Sequence, residues 1–299
     1  MIILKKILKT IVIIVLIVFP FLGGALLGKH TPYTEGNSMT SFVALYSVFV
    51  LVVLFSLIFI TTKYKHSFVQ PVLPGILLFV LGCVMTGIAG LAVAPDLSIK
   101  MLEHPEREHF RYILLFIGAL FYGLFFVQLL TKNALQLNNT FKWIMIIIFV
   151  LAMTELLWEF SYHYFYPEGL KKWIDKGNKA EDFAKSYDDW RSIITGAVGR
   201  FLIYVLMLWL SIRLYKIRRI AIWNPIISSF LCVLGIISSI AFFLYGAYNI
   251  ETPKQFGFLI LFIIPGLPFL IMYWISIALL TKTNISKTSE PKPIKQNNN

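Results

Sequence analysis

The residues whose types could do chemistry lie together in MTELLWEFSYHYF, the stretch from Met153 to Phe165. Glu155, Glu159 and His163 recur there at four-residue intervals, so on a helix they share one face. Two carboxylates one turn apart in a low dielectric raise each other's pKa unless a cation intervenes. That arrangement suits proton exchange, or general acid–base work if the two environments differ. Glu155 and His163 are separated by about 12 Å along a helix axis, too far to hold one metal ion. Zinc sites usually draw three or four protein ligands together, so no metal and no other cofactor is expected. The 103–109 run, EHPEREH, has no regular ligand spacing and reads as a solvated loop.

The cation that such acids need is supplied by Arg200, the one basic residue well inside an apolar segment. Counting 1.5 Å per residue outward from Lys142 across roughly 30 Å of hydrocarbon puts Glu159 about 5 Å and Glu155 about 11 Å below the outer boundary, and counting inward from Ile194 puts Arg200 about 9 Å deep. Gly196 and Gly199 beside the arginine permit close helix approach. The expectation is a buried Glu155–Arg200–Glu159 cluster, in which the planar guanidinium fork serves carboxylates without deprotonating. Trp158, Tyr162 and His163 flank it as secondary candidates. His163 falls near the headgroup boundary, where tryptophan and tyrosine ordinarily form an interfacial belt.

Positioning such a cluster requires membrane-spanning helices, and the composition supplies them. The chain has 299 residues, 58% hydrophobic and 14% charged, with a mean hydropathy of +0.76. A soluble chain of this length would keep more charge for its surface. Segments of about 20 apolar residues, enough for roughly 30 Å of hydrocarbon, recur eight times. They cover 7–28, 42–62, 72–94, 112–131, 142–164, 194–215, 222–248 and 256–281, so residues 1–281 form one all-α transmembrane bundle. Between the fifth and sixth lies 165–193, where apolar residues at three- and four-residue spacing, interrupted near Gly177, predict two short amphipathic helices. The tail, 282–299, is polar and expected to be disordered.

The net charge of +12 belongs to topology rather than to nucleic acid. Alternate loops hold Lys5, Lys6, Lys9, Lys63, Lys65, Lys132, Lys142, Arg213, Lys216, Arg218, Arg219, Lys282, Lys287, Lys292 and Lys295 against the single acid Glu290. The positive-inside rule therefore places both termini in the cytoplasm, with a bacterial cytoplasmic membrane as the expected location. Cys83 and Cys232 fall inside apolar runs and read as packing residues.

Two spans carry helix breakers: Pro20 in the first, and Pro265, Gly266 and Pro268 in the last. Breaks at membrane depth free backbone groups that need partners or a cavity. Nucleotide-binding loops, a nucleophile elbow and a metalloprotease helix motif are all absent from the sequence. The reading that follows is a secondary transporter or permease coupled through the acid–base cluster, acting on a small molecule or lipid. The alternatives are a membrane-embedded enzyme acting on a lipid-linked substrate at the outer leaflet, or a non-catalytic subunit of a membrane complex.

Overall fold

The computed structural model describes residues 2–33, 36–63, 70–91, 99–187, 190–263 and 266–282. Among them every regular element is a helix, and there is no strand. The long helices are α1 (Ile2–Lys29), α2 (Met39–Lys63), α3 (Leu73–Leu91), α4 (Pro105–Thr131) and α5 (Asn139–Tyr164). Two short ones follow, α6 (Tyr166–Asp175) and α7 (Phe183–Tyr187), then α8 (Trp190–Lys216), α9 (Trp223–Tyr248) and α10 (Gly266–Thr281). A 3-10 segment, Lys254–Phe262, leads into α10.

Five of these helices are long and apolar enough to cross a membrane, and up to seven segments are if each of two bent pairs counts as one span. The bent pairs are Thr10–Phe19 with Leu22–Lys29, at 47°, and Lys254–Phe262 with Gly266–Thr281, at 57°. The third expected span is not in that count; it gives a shorter apolar helix, Leu73–Cys83, and its last three positions, 92–94, lie outside the described residues. The chain thus has the architecture of a multi-pass membrane protein. The tail expected to be disordered lies outside the described residues from position 283 onward.

Helix α10 occupies the centre. It packs against α1, α2, α3, α8 and α9, and residues all round its circumference, from Phe269 to Leu280, are buried. A helix apolar on every side belongs inside a bundle, and FLIMYWISIALL is such a sequence. Around it, α4 lies between α3 and α5, α5 between α4 and α8, and α8 between α5 and α9. The outward faces of α2, α5 and α9 expose Phe55, Ile147 and Phe230, as lipid-facing helices do. At one end Arg213 of α8 donates to the carbonyls of Leu135 and Gln136 at 2.9 and 2.7 Å, fixing α8 to the α4–α5 turn.

The other end is closed by α6 and α7, the two short helices that the 165–193 pattern predicts. Between them Gly177 adopts φ +82, the left-handed conformation that a side chain would resist. Tyr166, Leu170 and Phe183 form a small buried core with Met101, and Trp173, Ile174 and Tyr187 pack around it. The Trp173 indole donates to the Lys179 carbonyl at 2.9 Å, and the Tyr187 hydroxyl to that of Tyr162 at 3.3 Å. Burial pushes the Tyr187 hydroxyl pKa upward.

Candidate functional site

Glu155 and Arg200 meet where α5 packs on α8. Arg200 Nη2 lies 2.9 Å from Glu155 Oε1, and each residue is 1% exposed. Depth arithmetic brings the two together because the rise per residue is fixed and α8 begins at the end where α5 finishes. Helix α8 accommodates the pair by offering no side chain beneath it. A methyl group on Gly199 would overlap the Cβ and Cγ of Glu155, so only glycine lets the two backbones come this close. One turn earlier, Gly196 faces the Trp158 ring, with room for a methyl group at 3.4 Å.

Two ions withdrawn from water hold each other in place here. Desolvating a carboxylate and a guanidinium costs several kcal/mol each, and only good pairing geometry offsets this. Removal of either partner therefore takes a close counter-charge from the other. The side chain of Glu159 lies outside the described residues, although its position on α5 is one turn beyond Glu155.

The aromatic candidates turn elsewhere. His163 faces α4, its ring stacked on Tyr112 at 4.9 Å and 3°. Tyr162 contacts the rings of Trp158, His163, Tyr166 and Tyr187, joining α5 to the α6–α7 cap. His163 and Glu155 therefore serve different faces of one helix. Among the described residues no three histidine, cysteine or carboxylate side chains stand close enough to share a metal ion.

Both breaks have side chains supplying what proline withholds. In α1 the Leu16 carbonyl would accept from residue 20, but a proline there has no N–H. Tyr273 of α10 donates to that carbonyl at 2.6 Å, and the Trp274 indole donates to Ile17 at 3.3 Å. The side chain of Pro20 lies outside the described residues, as does Pro265; Gly266 and Pro268 are buried at the start of α10. In 3-10 pairing the Phe262 carbonyl would accept from residue 265, again a proline. Tyr204 of α8 donates to it at 2.7 Å, and Ser238 of α9 donates to Leu259 at 2.6 Å. Of the other serines of α9, Ser239 bonds the Gly235 carbonyl within its helix and Ser228 faces Asn224.

Tyr204 is invisible to depth arithmetic, although it follows Arg200 by one turn. Its ring occupies space left by Gly235 of α9, where a methyl group would overlap ring atoms. A second charged centre also escapes the sequence reading. The 103–109 run is not a solvated loop: Pro105 starts α4, and Arg107 and Glu108 are each 1% exposed. Arg107 Nη1 lies 2.5 Å from Glu108 Oε1, Arg111 approaches the other carboxylate oxygen at 3.6 Å, and the Tyr33 hydroxyl donates to the His104 carbonyl at 3.0 Å. Burial, and then the Glu108 charge, push the Tyr33 hydroxyl pKa upward. The available signal was proline followed by glutamates, the signature of a helix start.

The fold and these buried charges define a class, a multi-pass helical membrane protein with charged side chains inside its bundle. No family model matches the chain, and no match to it was found among curated proteins or solved structures. Its function therefore rests on its own geometry.

Proposed function

We propose that this protein is a secondary transporter or permease in which Glu155 and Arg200 form the coupling element. The observation that carries the reading is the fully buried ion pair they form at the α5–α8 interface. Ionisable residues at membrane depth are costly and commonly mark ion or substrate paths. A proton on Glu155 cancels its charge and loosens Arg200, and departure of that proton restores the bridge. The bends in α1 and before α10 supply the interrupted segments that transporters use around a substrate site. Glu159, one turn along α5, is the second carboxylate assigned to the same exchange.

The test uses protein reconstituted in liposomes with a trapped pH-sensitive dye. Amino acids, sugars, nucleosides, organic acids and inorganic cations are added in turn. One class should drive proton entry in the parent protein, with entry lost in Glu155→Gln while the variant stays folded. A folded Glu155→Gln protein with undiminished coupled flux rules the reading out.

A further inference from the structure

Basic residues gather at the end of the bundle where α4, α8 and α10 finish. Arg213 ties the α4–α5 turn, which Lys132 and Lys142 flank, to the last turn of α8. Lys282, just past α10, donates to the Ile220 carbonyl at 3.3 Å, against the turn that carries Lys216, Arg218 and Arg219. No aspartate or glutamate occurs between Glu108 and Glu155, from Trp190 to Ile250, or from Thr252 to Ser289, so these cations meet no acid within their own helices or turns. Membrane orientation accounts for an excess of lysine and arginine. It does not account for the exclusion of acids, which contribute little to orientation.

Arg218 is the residue that orientation explains least. Its N–H donates to the Tyr215 carbonyl and that of Arg219 to the Leu214 carbonyl, both at 2.8 Å. This paired closure of a helix end usually places glycine where Arg218 stands. Here an arginine holds φ +59, the left-handed conformation that a side chain resists. The turn therefore accepts a conformational cost to present a guanidinium at this point. Lys216 and Arg218 are exposed, and neither side chain makes a hydrogen bond or ion pair among the described residues. From the same turn Ile222, Ile226 and Phe230 follow at four-residue spacing, all exposed, as an apolar stripe along α9.

We infer that the α8–α9 turn is a binding site for an anionic phospholipid of the leaflet this end faces. The lipid phosphate lies against Lys216 and Arg218, in a field that Arg219 and Lys282 reinforce. Its acyl chains run along Ile222, Ile226 and Phe230. Basic residues clustered beside a span attract anionic headgroups in this way. The apolar stripe continuing from the cations favours a lipid over a soluble anion, which has nothing to lay along it. The site is separate from the Glu155–Arg200 pair and does not depend on the coupling role.

Native mass spectrometry of the full chain in detergent counts bound phosphatidylglycerol against phosphatidylcholine with the same acyl chains. Phosphatidylglycerol should bind preferentially, and Arg218→Gly and Lys216→Gln should each weaken it by about five-fold. Glycine suits the left-handed backbone, so Arg218→Gly removes the charge and keeps the turn. Lys171→Gln on α6 removes an exposed charge at the opposite end and should leave binding unchanged. Equal retention of the two lipids, undiminished retention in both turn variants, or a loss in Lys171→Gln as large as theirs overturns the inference. So does displacement of phosphatidylglycerol by an equal concentration of glycerol phosphate, which would make the ligand a soluble phosphate ester.

Discussion

The hydroxyl of Tyr273 donates to the carbonyl of Leu16 at 2.6 Å, across 257 positions of the chain, and that carbonyl is the one Pro20 leaves without a backbone donor. The bend in α1 and the central helix are therefore a matched pair. Tyr273→Phe should destabilise the protein by about 1–3 kcal/mol, the cost of a buried acceptor left unmade. In a Pro20→Ala background the helix regains its own donor, and the same substitution should cost clearly less. Thermal unfolding of the four proteins in detergent measures the difference. Equal penalties in both backgrounds would show that Tyr273 does not compensate for the proline.

Gly199 and Gly196 differ in what stands over them, and their alanine variants should differ accordingly. Gly199→Ala must push Glu155 or the whole of α5 away, an overpacking cost of about 1–3 kcal/mol. Gly196→Ala meets the Trp158 ring at ordinary contact distance and should be near neutral. Melting curves recorded through tryptophan fluorescence separate the two; a Gly196 variant as damaged as the Gly199 variant contradicts the geometry.

Breaking the buried pair from one side should be worse than removing it whole. Glu155→Leu or Arg200→Met alone should cost about 3–5 kcal/mol, since each takes a close counter-charge from a buried ion, and the double variant should recover most of that loss. Denaturation of the single and double variants gives the coupling directly. Combined with the liposome assay it also sorts roles: a stable double variant without coupled flux has lost the exchange rather than the fold. Additive losses would show that the two residues act independently.

The lysines and arginines lead to the expectation that both termini are cytoplasmic, which labelling checks separately. A membrane-impermeant maleimide added to intact cells should label Gly177→Cys, between α6 and α7. It should reach Lys132→Cys, at the far end of α4, only after the cells are opened. The reverse pattern inverts the topology inferred from positive charge.

How far the sequence reveals this molecule depends on whether a property is local. Apolar segments announce themselves because each must clear the hydrocarbon by itself, so the starts of α5 and α8 and their lengths are legible. Glu155 and Arg200 are legible as partners for the same reason, since depth is a one-dimensional quantity counted along each chain segment. The contact between Tyr204 and Phe262 is different in kind. It depends on which helices are neighbours and on a ring fitting over Gly235, and neither is written at any one position. Arg107 and Glu108 mislead for a third reason: a dense charge run at a helix start resembles a solvated loop until something folds over it.

The central place of α10 has a consequence for biogenesis. It is the last described helix to leave the ribosome, yet it is the one that its neighbours surround. The earlier helices must therefore insert and wait around an unfilled middle, with the Leu16 carbonyl uncapped and the inner faces of α1, α3 and α8 in contact with lipid or an insertion chaperone. Maturation ends with an act of plugging, and an arrested chain lacking residues 266–282 should persist as a protease-sensitive intermediate rather than as a smaller stable bundle.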